Sequence, residues 1–216
     1  MRGMPERSPR GRFVVLDGVD GCGKSTQARL LCAELARAPG PGPVHVREPG
    51  GTALGELLRG QLLHGREPLT PEVEVLLFAA ARRQMLERIV APALAEGRDV
   101  VCERGNASTF AYQAVAGGLD EERVLGLLLA WCNTPAPDLI LWLDLPVEQA
   151  RTRLGAQPDR IESRGLEFQR AVARGFARWG ERVGGLVRID AAGAQEQVRS
   201  RILDVLRQRA SGALPA

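Results

Sequence analysis

Eight consecutive residues, Gly18-Val19-Asp20-Gly21-Cys22-Gly23-Lys24-Ser25, constrain this chain more than any other feature, because they spell G-x-x-x-x-G-K-[ST] in a strand-to-helix setting. The run Phe13-Val14-Val15-Leu16 before them has the character of a buried strand. Leu30, Leu31 and Leu35 after them give an apolar pattern to a predicted helix from Lys24 to Ala38. Strand, glycine loop and helix in that order make a phosphate-binding P-loop. Its glycines let backbone N–H groups turn toward the phosphates, and the helix N-terminus adds its positive end. The loop and the adjoining Thr26 are therefore expected to hold a nucleoside triphosphate, with Lys24 bridging its β- and γ-phosphates and the Ser25 hydroxyl on Mg²⁺.

Composition sharpens the reading of Lys24. Of 29 basic residues, Lys24 alone is lysine and the rest are arginine. Arginine replaces lysine readily on a solvated surface, but a planar guanidinium does not fit where a compact ammonium must thread between phosphates. The formal charge is only +3 and the arginines are dispersed, so no nucleic-acid partner is expected. Cys22, Cys32, Cys102 and Cys132 lack the paired spacing of a zinc site and read as free thiols of a reducing compartment. No apolar run approaches the roughly 18 residues that span a bilayer, and the start is polar and basic before Phe13. A cytoplasmic location without membrane partners is the expectation.

The 216 residues suffice for one α/β core, and an aromatic content of 4% argues against a β-sandwich. One domain is expected over residues 11–209, with loose ends at 1–10 and 210–216. After Pro39 to Pro43, a short strand is predicted at Val44 to Arg47, then helices at about 53–63 and 71–96, the second opened by Thr70 as cap and Pro71. Further strands are expected at Asp99 to Glu103, Leu139 to Leu143 and Leu186 to Ile189. Helices are expected at about 107–116, 120–132 and 146–154, then from 165 and at the end. Five short strands separated by helices, with no hairpin signals, predict a parallel sheet covered on both faces, and with the loop this is a P-loop NTPase fold. Ligands should gather at the strands' carboxyl ends.

A magnesium ion also wants carboxylates, usually through water. Asp20, Glu48, Glu103 and Asp144 are the candidates, and Glu103 is favoured because its strand should lie beside the first. Asp144 serves equally well as a cap for the helix after Pro146. The turn from Asp190 to Gly193 is a candidate for adenine.

Beyond the loop, the chain resembles thymidylate kinases of the bacterial type from Phe13 to about Val198. The resemblance is carried by Leu16-Asp17-Gly18-Val19-Asp20, Arg47-Glu48-Pro49-Gly50-Gly51-Thr52, and Leu77-Phe78-Ala79-Ala80-Ala81-Arg82. It continues through Arg104 with Ser108-Thr109-Phe110-Ala111-Tyr112-Gln113, Pro137-Asp138-Leu139, and Asp159-Arg160-Ile161-Glu162. It implies ATP and dTMP as substrates, Mg²⁺ as cofactor and a homodimer packed through helices. Phe78 and Arg82, four apart on one helix face, would stack on the pyrimidine and bond its carbonyl. Arg104 would hold the acceptor phosphate, with Arg59 and Glu48 in the same pocket. Thr109 and Gln113 would sit at the base, and Tyr112, the single tyrosine, beneath the sugar. Asp20 would face the acceptor's sugar and help place its phosphate.

The Arg-rich stretch of about 151–164 matches the lid that closes over ATP. Gly21 and Cys22 leave the loop without an arginine of its own, so Arg153 or Arg160 is expected to meet transition-state charge. A solvated surface accounts equally well for Arg151, Arg164 and Arg170. Two departures stand out: Glu103-Arg104-Gly105 occupies the place of Asp-Arg-Tyr, so the acid is longer and an aromatic is missing. They keep open a pyrimidine monophosphate kinase with a shifted acceptor such as dUMP. A non-catalytic nucleotide-binding module is the alternative from another class.

Overall fold

In the computed structural model, residues 10–155 and 159–210 are described. The expected loose ends lie outside them except for Arg10 and Ala210, as do residues 156–158 of the lid.

The described residues build a parallel sheet of five strands in the order β2-β3-β1-β4-β5. The strands are β1 (Phe13–Asp17), β2 (Val44–Arg47), β3 (Val100–Glu103), β4 (Leu139–Asp144) and β5 (Leu186–Asp190). Their alternating side chains enter two different cores. Val14, Leu16, Leu141 and Leu143 join Leu31, Phe110 and Phe176 on one face. Phe13, Val15, Val100 and Cys102 join Met85, Leu86 and Leu94 on the other. Burial on both faces is why the central strands β1, β3 and β4 read as apolar runs, while the edge strands β2 and β5 carry His45, Arg47 and Arg188. From β1 the chain first builds one side of the sheet and then the other, so the carboxyl end of β1 lies at the point where the strand order reverses.

The helices are α1 (Lys24–Leu35), α2 (Ala53–His64), α3 (Pro71–Met85), α4 (Ala91–Ala95), α5 (Asn106–Thr109), α6 (Glu121–Trp131), α7 (Val147–Arg151), α8 (Leu166–Arg182) and α9 (Gln195–Ala210). Two expected helices are interrupted. The 71–96 stretch passes through a π-helical turn at Leu86–Val90, and the 107–116 stretch through another at Phe110–Val115. Both keep their apolar side chains buried, so the sequence pattern does not betray the change of winding. The helix expected at 146–154 is shorter, and Asp144 does not cap it: its carboxylate binds Arg188 of β5, with Nε at 2.6 Å. Thr70 does cap α3, accepting from the Val73 amide at 3.4 Å.

Candidate active site

The P-loop follows β1 directly, and its shape depends on glycine. Gly21 has φ 80° and its hydrogen points at the Ala150 carbonyl; a Cβ there would lie 2.1 Å from that oxygen. Gly23, at φ 103°, turns the chain into α1. Lys24 begins the helix, is only 7% exposed, and donates from Nζ to the Gly18 and Val19 carbonyls at 3.0 and 2.8 Å. Its ammonium is thus held inside the loop by acceptors that phosphate oxygens would replace.

The register Leu16↔Glu103 and Arg47↔Glu103 sets the end of β3 between the first two strands. There Glu103 accepts a hydrogen bond from the Ser25 hydroxyl, and its other oxygen lies 2.9 Å from His45 Nε2. Burial opposes ionisation of Glu103, but these bonds and Lys24 hold its carboxyl below the ordinary range. One hydroxyl and one ionised carboxylate form a hard-oxygen pair, which suits an ion that keeps water and phosphate for its remaining positions. Among the described residues, no group of three or more His, Cys, Asp or Glu side chains forms a metal cluster.

The next residue, Arg104, is the one non-glycine with positive φ among the described residues, at 74°. That conformation costs roughly 1–2 kcal/mol. It turns the guanidinium back over the P-loop, where it binds Asp20 and lies 5.2 Å from the centre of the Tyr112 ring. Tyr112 donates to Asp20 at 2.8 Å, and Gln169 of α8 adds a bond at 3.3 Å. Burial alone would raise the Asp20 pKa; Arg104, Lys24 and the Tyr112 bond outweigh it and bring it to about 2. Burial, reinforced by Asp20, pushes the Tyr112 phenol well above its usual value and keeps it protonated. Ser108 bonds Asp17 and accepts from Arg104 at 3.4 Å. Gly105 leaves no empty slot toward β1: a Cβ there would already be 3.0 Å from Val15.

These groups open on a cleft of about 870 Å³ at the strands' carboxyl ends. It is lined by Asp20 to Gln27, by Glu48, Arg59 and Phe78, by Glu103 and Arg104, and by Thr109, Tyr112 and Gln113. Arg59 is steadied by the Pro49 carbonyl at 3.0 Å. Ala191 and Gly193, in the turn expected to meet adenine, and the adjoining Ala194 border the other end. Asp144 does not line it; Arg188 takes up its carboxylate.

Arg82 stands one layer behind the wall. Its guanidinium binds Glu48 from Nε at 2.5 Å, Gly105 and Thr109 at 2.9 and 3.0 Å, and Asn106 at 3.1 Å. Burial works against both charges of the Arg82–Glu48 pair; Glu48 keeps Arg82 protonated, while burial raises the Glu48 pKa. Arg82 therefore fixes two wall residues in the conformation seen and does not itself front the cleft.

The lid arginines divide. Arg153 lines the cleft and no side-chain bond holds it among the described residues. Arg160 turns toward α3, reaching buried Glu74 at 3.4 Å, and Arg164 binds the same carboxylate, so Arg164 is not a merely solvated charge; Arg170, paired with exposed Glu148 at 2.7 Å, stays on the solvated surface. Glu74 also accepts from Gln113 at 3.3 Å. Glu74 and His45 escaped the sequence reading. Glu74 lies four residues before Phe78 and eight before Arg82, on the same helix face, which was the available signal. His45 gave none.

Comparison with known proteins agrees with this geometry. The family model described as thymidylate kinase matches residues 16–202. A thymidylate kinase of Synechococcus sp. (strain JA-3-3Ab) is 46% identical over 206 residues, covering 94% of this chain and 98% of the relative. One from Verminephrobacter eiseniae is 42% identical, covering 91% of each. The crystal structure of thymidylate kinase from Ehrlichia chaffeensis superposes with a TM-score of 0.76 at 28% identity, covering 92% of this chain and all of that one.

Proposed function

The chain belongs to the thymidylate kinase family, and from that premise we propose how its cleft transfers the γ-phosphoryl group of ATP to dTMP, giving dTDP and ADP. The observation that carries the reading is the convergence of Arg104 and Tyr112 on Asp20. Through it the P-loop acid joins the donor side of the cleft to the acceptor side.

Lys24 exchanges the Gly18 and Val19 carbonyls for β- and γ-phosphate oxygens, at little cost in reorganisation because its position is already set. Arg104 offers its free donors to the acceptor phosphate while Asp20 fixes its fork. That phosphate is nucleophilic near neutral pH, so the residues supply alignment and counter-charge, and no general base is needed. Phe78 stacks on the thymine, with Thr109 and Gln113 at its edge and Glu48 and Arg59 closing the pocket. Tyr112 lies beneath the sugar, where its phenol is bound to Asp20 and leaves little room for a 2′-hydroxyl. Arg153, the lid arginine that lines the cleft and has no side-chain partner among the described residues, meets the charge of the transferring group. Ser25 and Glu103 would hold Mg²⁺, Glu103 through water; the bound ion supplies charge neutralisation on the phosphates.

Incubation with ATP, Mg²⁺ and a panel of dTMP, dUMP, dCMP and ribothymidine monophosphate tests the reading. Turnover should be highest with dTMP; a preference for dUMP, or ADP release indifferent to the acceptor, would contradict it.

The homodimer is proposed through α2, α3 and α6, where Leu57, Leu76 and Trp131 are 68%, 56% and 64% exposed. Sedimentation should give twice the 23.3 kDa of one chain, and a species of single mass would refute the pairing. The free thiols suit a cytoplasmic location, which cell fractionation would check. Among the described residues, no helix is long and apolar enough to cross a membrane.

A further inference from the structure

His45 belongs to none of the motifs that carry the family resemblance, yet its Nε2 lies 2.9 Å from Glu103 Oε1. The opposite oxygen of that carboxylate takes the Ser25 hydroxyl bond. We propose that His45 is a positioning residue for the metal-side acid, clamping the Glu103 carboxylate against Ser25 so that it is presented to the ion accompanying the nucleotide. The inference rests on the reading of Glu103 as that acid.

Three observations support it. Glutamate has one more rotatable bond than aspartate, so a carboxylate at the end of β3 needs a second restraint to keep one orientation. The two oxygens have different partners, Ser25 on α1 and His45 on β2, and both are carried by regular elements rather than by loops. Finally, the Glu103 side chain is 12% exposed while the imidazole is 33% exposed, so the histidine closes the outer side of the acid and separates it from bulk water. An edge-strand histidine serving only the sheet would not need its ring nitrogen on this oxygen.

Partners of this outer kind change metal affinity by roughly 10–100-fold when removed. The experiment compares wild type with His45→Phe and His45→Gln, reading free Mn²⁺ by electron paramagnetic resonance as it is titrated into the ATP-bound protein. His45→Phe should weaken Mn²⁺ binding about tenfold, His45→Gln should recover most of that loss by restoring an N–H donor, and ATP binding in EDTA and the KM for dTMP should move less than about twofold. In a Glu103→Asp background, which draws the carboxylate back by one methylene and so breaks the 2.9 Å contact with the imidazole if the backbone holds, His45→Phe should add no further loss. Unchanged Mn²⁺ affinity in His45→Phe would overturn the proposal. So would an equal weakening of metal-free ATP binding, or a full additional loss in the Glu103→Asp background. The two readings fail separately: a wild type without dTMP-dependent ADP release breaks the kinase assignment, whereas an active wild type with a silent His45→Phe breaks only this inference.

Discussion

The floor of the cleft and its lid carry similar charges and treat them differently. On the floor, Lys24 rests on loop carbonyls and Arg104 on Asp20, and behind the wall Arg82 rests on Glu48. In the lid, Arg160 and Arg164 are drawn to a buried acid on α3, and Arg153 borders the cleft with no side-chain partner among the described residues. The floor is thus preorganised, so binding exchanges one set of oxygen partners for another. The lid instead separates anchoring from chemistry, with Glu74 holding its root while a free guanidinium remains available. Preorganised donors give the larger catalytic return, because nothing must be reordered as charge develops.

The contrast is sharpest if the floor is broken first. Lys24→Ala should lower kcat about 1000-fold with melting temperature nearly unchanged; near-normal turnover would remove the floor from the chemistry. In the lid, Arg153→Ala should lower kcat about 100-fold, whereas Arg160→Ala should cost less than tenfold in kcat and about 1 kcal/mol in stability by leaving Arg164 as the one cation on Glu74. The reverse order, measured by steady-state kinetics and urea unfolding, would make Arg160 the acting residue. The smallest effect concerns the floor's electrostatics. The Asp20 carboxyl sits at about 2 in the folded protein against 3.8 as its reference, so the unfolded chain takes up the proton first and stability falls as pH drops from about 4 toward 2. Between about pH 5 and 3 this contributes a loss of about 1 kcal/mol that Asp20→Asn should lack. An equal acid loss in that variant would put the sensitivity elsewhere.

The same contrast governs what could be read from sequence. The three central strands were legible because elements pack on both their faces, which favours unbroken runs such as Leu139 to Leu143, whereas the edge strands β2 and β5 showed only as short segments between turn signals. The loop was legible because its glycines have positive φ and Lys24 has no substitute of equal shape. Arg104, Tyr112 and Asp20 were legible singly through the family resemblance, but not as a cluster, since their meeting depends on the backward turn of Arg104. The π-helical turns were not legible, because one extra residue in a buried helix leaves its composition apolar. Glu74 stands in the first turn of α3, where an acid is ordinary, and only the packing of the lid root reveals it as buried. The division among the lid arginines was invisible for the same reason: a run of like residues does not state which one has a partner.

The central claim is transfer between two nucleotides bound in one cleft, and the fate of a labelled γ-phosphoryl group tests it most directly. With γ-labelled ATP, Mg²⁺ and dTMP, the label should appear in dTDP in step with ADP formation, and only when dTMP is present. Label released as inorganic phosphate, or ADP formed without labelled dTDP, would contradict the account.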